Sequence, residues 1–230
     1  MIKAVVLLGA LFSASLMAFS VDSMFKVDDG KEGHLLLKNT TGRTEFISIR
    51  LSRVSIENEK IRERPFDTSD FLRWPMYLTP SSIILDPGAA ERVSIVRVNK
   101  ENKEDVMIGI SLMPDILSSY GKNSMELSIG YKVWYLMPGS SEMRGELIGE
   151  RNNENKFLFL RNQTNKHVSM TINFCGEVNF TDVNCTSSLF MLSGSNKSID
   201  ISALNKGKVS DVINIRYHDA LKKYVKNIQI

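Results

Sequence analysis

Three kinds of residue in this chain could carry chemistry, and their spacing limits what each can do. Histidine is the usual acid–base group near neutral pH, and the chain has His34, His167 and His218. Two stand beside strand-like segments and one near the C-terminus, with no pairing visible between them. The sequence has no Gly-x-Ser-x-Gly elbow, phosphate-binding glycine loop or His-Glu-x-x-His run. An enzyme would therefore need a polar constellation assembled from distant positions, and the reading is that the chain is not an enzyme. The second kind is cysteine, present only as Cys175 and Cys185. An even count in an exported chain points to a disulfide. A metal site would need further cysteine or histidine at ligand spacing, which is missing here. The third is a row rather than a group. In Met125–Tyr135, MELSIGYKVWY, the residues Met125, Leu127, Ile129, Tyr131 and Val133 fall on one face at period two. Such a row is either an ordinary core strand with one wet face or an edge strand offered to a partner by strand addition.

The elements that must hold these residues are strands. His34–Lys38, Glu45–Leu51, Ser82–Leu85, Arg92–Val98, Val106–Met113, Met125–Tyr135, Lys156–Arg161 and Val168–Phe174 are rich in β-branched and aromatic residues. Turn signals separate them at Asn39–Gly42, Pro87-Gly88, Pro138-Gly139, Asn162–Asn165 and Ser193–Ser195. Many short strands with regular turns predict an all-β sandwich architecture.

An internal repeat divides the chain. Leu35–Ile49, LLLKNTTGRTEFISI, is echoed by Leu158–Ile172, LFLRNQTNKHVSMTI, with Asn39 on Asn162 and Thr41 on Thr164. A second echo sets Leu85-Asp86-Pro87-Gly88 before Val93-Ser94-Ile95 against Leu192-Ser193-Gly194 before Ile199-Asp200-Ile201. Two copies of one sandwich account for the 230 residues, with the boundary near Met137–Glu142.

The N-terminus reads as a secretory signal peptide. Lys3 precedes an apolar stretch from Ala4 to Met17, and Ala18 is a small residue suited to cleavage. Cleavage after Ser20 is the alternative. The stretch is shorter than the roughly 20 residues that span a bilayer, and no later run is long enough to anchor the mature chain. The expected organisation is a signal peptide at 1–18, a first domain at 19–138 and a second at 139–230. Hydrophobic content of 43%, charged content of 24% and a net charge of +3 suit a soluble globular protein and give no basic footprint for nucleic acid.

One stretch carries a family resemblance. Tyr77–Val98, YLTPSSIILDPGAAERVSIVRV, resembles a segment of the N-terminal domain of periplasmic pilus chaperones of the chaperone–usher pathway, with Thr79-Pro80, Leu85, Pro87-Gly88 and Arg92-Val93 matching. Ile47–Val54, Leu78–Leu85, Ser128–Tyr135 and Cys175…Cys185 followed by Phe190–Gly194 look like the common-pilus branch. The resemblance implies two tandem immunoglobulin-like β-sandwich domains in a boomerang arrangement. It implies a periplasmic chaperone that holds pilin subunits and delivers them to an outer-membrane usher, with no cofactor. Met125, Leu127, Ile129, Tyr131 and Val133 would fill the pilin groove by donor-strand complementation, and the free chaperone could cap that strand as a dimer. Family members place two basic residues in the interdomain cleft to bind the pilin's terminal carboxylate. Here the first such position falls on Phe25, with Lys26 adjacent, and the second on Gly130, with Lys132 two residues on. Lys132, Lys26 and Arg50 are the candidate anchors. The alternative function is an exported immunoglobulin-like structural or adhesive pilus component.

Overall fold

The computed structural model describes residues 19–98, 102–115, 129–152, 156–176, 182–201 and 209–230. Residues 1–18, including the expected signal peptide, and Met125 and Leu127 of the apolar row lie outside them. Among the described residues seventeen strands form four sheets. One sheet of the first pair runs β1 (Ser20–Val21), β3 (Gly33–Lys38), β8 (Ala90–Arg97), β6 (Met76–Thr79). The facing sheet runs β2 (Phe25–Val27), β10 (Tyr131–Met137), β9 (Val106–Pro114), β4 (Glu45–Glu57), β5 (Lys60–Pro65), with β7 (Ser82–Leu85) also paired to β4. The second pair comprises β11 (Leu147–Arg151), β12 (Phe157–Asn162), β15 (Asn196–Asp200), and then β14 (Thr186–Met191), β13 (Val168–Asn173), β16 (Asn214–Asp219), β17 (Val225–Gln229). Among the described residues the one helical element is a 3₁₀ segment at Thr68–Arg73.

Alternation explains the layers. Leu35 and Leu37 of β3, Val93 of β8, Ile108, Ile110 and Leu112 of β9, and Val133 and Tyr135 of β10 are buried in the first core. Leu158 and Leu160 of β12, Met170 and Ile172 of β13, and Ile215 and Tyr217 of β16 are buried in the second. A third apolar cluster joins Val54, Met107 and Leu136, from the outer face of the β2–β5 sheet, to Leu192 and Phe190. That face is therefore covered at one end and open at the other.

The sequence repeat has a structural cause. The Asn39 side-chain amide donates to the carbonyls of Arg43 and Leu85 at 2.7 and 2.8 Å, and its oxygen accepts from the Thr41 N–H at 2.8 Å. Asn162 donates to Lys166 and Leu192 at 2.9 and 3.1 Å and accepts from the Thr164 N–H at 3.0 Å. Both asparagines are fully buried, so each closes its corner where water cannot. The matching turns place Gly88 and Gly194 at the same φ of 77°, where a side chain would be strained. Cys175 and Cys185 form the expected disulfide, with Cα atoms 5.5 Å apart, tying the end of β13 to the start of β14.

Candidate functional site

β10 has two kinds of edge. β9 covers one side from Tyr131 to Met137. On the other side the parallel pairing to β2 covers only Trp134, Tyr135 and Leu136. Upstream of Trp134 the strand has β9 as its one strand neighbour among the described residues. The Trp134 N–H donates to the Met24 carbonyl across the β2 side, so by alternation the main-chain groups of Lys132 and Gly130 face that same open side. A Cβ on Gly130 would lie 2.7 Å from the Leu112 carbonyl oxygen, so glycine lets the chain hug β9 as it enters the strand.

The apolar row divides along this strand. Ile129 is exposed. Tyr131 is half-buried, its ring edge-on to Phe19 at 5.0 Å between centroids. Val133 is 0% exposed. The expectation that Val133 fills a partner's groove is corrected: it faces between the two sheets of its own sandwich, and a partner could reach it only by opening them. Among the described residues of the row, Ile129 is the exposed one.

The three candidate cations do not gather in one place. Lys26 is in register with Tyr135, which points into the sandwich. Its ammonium donates to the Asp22 carboxylate at 2.7 Å and the His34 carbonyl at 2.5 Å. Burial pushes the Asp22 carboxyl up, but the Lys26 and Leu36 N–H bonds outweigh it and hold the group below its ordinary range. Lys26 thus ties the edge of the sandwich and lies on the opposite face from Lys132. Lys132 and Arg50 do share a face: both are in register with Ser111 of β9, one on each side. Arg50 is exposed and has no ion-pair partner among the described residues. Lys132 forms an ion pair with Glu63 of β5. Ser52 donates to the same Glu63 oxygen at 3.0 Å. Beneath them Gly109 leaves room: a Cβ there would lie 2.7 Å from Ser52 Oγ. Beside this polar floor, a cleft of about 200 Å³ between the two sandwiches is lined by Phe25, Ile61, Met107, Trp134, Phe190 and Leu192. Glu63, Ser52 and Gly109 were not expected from sequence, because only cross-strand register brings them to Lys132.

A family model described as "CS5 fimbrial protein N-terminal domain" matches residues 21–138. The chain belongs to the CS5 fimbrial protein family. An Escherichia coli relative, "Uncharacterized 25.9 kDa protein in CS5 3'region", is 29% identical over 190 residues, covering 82% of this chain and 83% of the relative. Solved structures share the fold. The class 5 fimbriae chaperone CfaA is 17% identical, with 92% of this chain and 98% of that one covered and a TM-score of 0.55. A chain of the Salmonella enterica complex of SafA pilin with the SafB chaperone is 11% identical, covers 95% and 99%, and has a TM-score of 0.56. The E. coli chaperone DraB is 13% identical, covers 93% and 96%, and has a TM-score of 0.55. At these identities the likeness is one of fold, and the fold is that of the fimbrial chaperones, two β-sandwiches in tandem. At the level of branch the family model gives CS5; the common-pilus likeness remains an expectation from the sequence.

In this member of the CS5 family a buried polar latch joins the two sandwiches. Asp105, just before β9, accepts from the Lys166 ammonium at 3.1 Å, the Gly139 N–H at 2.8 Å and the His167 N–H at 2.9 Å. Lys166 also donates to the Gly139 carbonyl at 2.7 Å. Gly139 cannot be larger, since a Cβ would sit 2.4 Å from the Lys103 carbonyl oxygen. Burial pushes the His167 imidazole below its ordinary pKa; nearby Asp105 pulls the other way, and Lys166 adds to the lowering. The Ser193 N–H approaches His167 Nδ1 at 3.5 Å, which fits a neutral ring with Nδ1 as acceptor. Among the described residues no His, Cys, Asp and Glu group could hold a metal, and no helix is long and apolar enough to cross a membrane.

Proposed function

We propose that this chain is a periplasmic chaperone that holds fimbrial subunits by lending them β10 and its upstream extension, and passes them to an outer-membrane usher. The open edge of β10 beyond Trp134, with Ile129 exposed on it, is the observation that carries the reading. A subunit lacking a strand would find there a hydrogen-bonding edge and an apolar row, the two things strand addition needs. Met125, Leu127 and Ile129 are the proposed groove-filling residues, and Tyr131 marks where the row turns into the chaperone's own core. Lys132 and Arg50, on the open face, are the proposed anchors for the subunit's terminal carboxylate. The fold relatives are chaperones, and the reading is accordingly non-enzymatic. Residues 1–18 are the proposed signal peptide. Phe19 is 1% exposed and packs on Tyr131, so cleavage after Ala18 keeps a core residue that cleavage after Ser20 would discard. The proposed domains are 19–138 and 139–230.

The test is co-expression of the tagged chain with candidate fimbrial subunits, followed by purification from the periplasm. The expected result is a soluble one-to-one complex with a subunit that aggregates alone. Ile129→Glu abolishes the complex and leaves the thermal midpoint of the free chain unchanged. A soluble, subunit-free chain that leaves every candidate aggregated would support instead an exported immunoglobulin-like structural or adhesive component. N-terminal sequencing of the exported chain is expected to begin at Phe19.

A further inference from the structure

The Lys132–Glu63 pair is built in an unusual way for two surface residues. They stand three strands apart, on β10 and β5, with β9 and β4 between, a separation of about 14 Å at ordinary strand spacing. Lys132 is level with Ser111 and Arg50 and Glu63 with Val54 and Met107, so the pair crosses the sheet diagonally, and two long side chains meet across that distance only if the residues under the diagonal are short. Gly109 and Ser111 on β9 and Ser52 on β4 meet that condition, since Gly109 pairs with Ser52 and Ser111 pairs with Lys132 and Arg50. Ser52 then fixes the far end by donating to Glu63. Glu63 sits on an edge strand whose every residue is exposed, so water can take its place on Lys132. The pair itself is accessible, with the two side chains 36% and 29% exposed, and exposed pairs of this kind shift an equilibrium by at most about fivefold. Arg50 lies on the same face without an ion-pair partner among the described residues. Of the two cations on this face, Lys132 alone holds the resident anion.

We infer that Glu63 is a resident counter-ion. In the free protein it occupies the place on Lys132 that an incoming carboxylate takes, and it yields that place when a subunit binds. This rests on the chaperone reading and on Lys132 as anchor. Glu63 sets how tightly the cleft grips: it keeps Lys132 neutralised in the empty chaperone and offers a competing carboxylate when the subunit must leave. Arg50 stays available to draw the incoming anion in.

The experiment uses the purified complex with whichever subunit the co-expression recovers. Subunit exchange onto an excess of tagged, unmodified chaperone is timed at low and high salt. Lys132→Met is expected to speed release. Glu63→Gln keeps a group that accepts from Ser52 and removes the charge, and is expected to slow release about two- to fivefold, with the difference shrinking at high salt. In the Lys132→Met background Glu63→Gln is expected to change nothing, and Glu63→Ala serves as a second variant should the glutamine fold poorly. Faster release with Glu63→Gln, matching Lys132→Met, would show that Glu63 merely positions the lysine and would overturn the inference, as would no change. If Lys132→Met leaves release unaltered while a complex still forms, the anchor reading fails and Glu63 falls with it. If no complex forms, the chaperone reading itself has failed.

Discussion

Gly109 shows how much one residue can decide. It sits in mid-strand, where glycine weakens a sheet, and only the cross-strand neighbours explain it. Gly109→Ala places a methyl group 2.7 Å from Ser52 Oγ and 3.4 Å from a Glu63 oxygen. The expected outcome is a loss of about 1–3 kcal/mol from overpacking, read as a lower denaturant midpoint, together with slower subunit release as Glu63 is pushed away from Lys132. The buried asparagines are the opposite case, residues that the sequence displays and the structure explains. Asn162→Ala takes one donor from each of the Lys166 and Leu192 carbonyls, which keep Thr164 Oγ1 and the Ser195 donors, and leaves the Thr164 N–H without its acceptor; the cost expected in chemical denaturation is about 1–3 kcal/mol. The Asn-x-Thr echo was visible in the sequence as a repeat. That it marks a hydrogen-bonded corner was not, because the carbonyls it serves on Leu85 and Leu192 lie far along the chain.

At the scale of elements, legibility followed burial. β3, β7, β9, β12 and β13 were readable because their apolar alternation faces a core. β5 was not: Lys60–Pro65 reads KIRERP, and an exposed, charged edge strand carries no hydrophobic period, though such charge is what keeps an edge from pairing with other chains. That blind spot hid Glu63. β10 was legible as a strand, but its period-two row runs from exposed Ile129 to fully buried Val133, a division that alternation alone does not show. The disulfide was readable from its count and context. Replacing Cys175 and Cys185 by serine frees the loop between β13 and β14, and the expected loss is about 2–3 kcal/mol, measured as a lower midpoint in urea without change in the first sandwich's core.

For the whole molecule, the relation between the two sandwiches matters most, because the cleft exists only while they are held. The apolar contact of Leu136 and Met107 with Leu192 and Phe190 supplies burial, and the Asp105 latch supplies direction. Removing one member of a buried ion pair strands the other, so Asp105→Ala is expected to destabilise the chain by about 3–5 kcal/mol. His167 makes the same junction sensitive to pH. Its folded pKa lies below the ordinary value, chiefly because burial penalises the charged ring. The folded chain therefore takes up a proton less readily than the unfolded chain. Above about pH 6.5, the unfolded value, both states hold the ring neutral and the stability it allows is fully present. As pH falls below that value the unfolded state gains protons that the folded state refuses, and stability declines until the folded ring titrates too. Thermal unfolding followed from pH 7.5 to pH 5 is expected to show the midpoint falling across this window. In His167→Gln, which keeps the backbone N–H bond to Asp105 but cannot titrate, that part of the slope should disappear. An unchanged slope in the variant would move the acid sensitivity to the carboxylates and leave His167 a neutral filler of the interface.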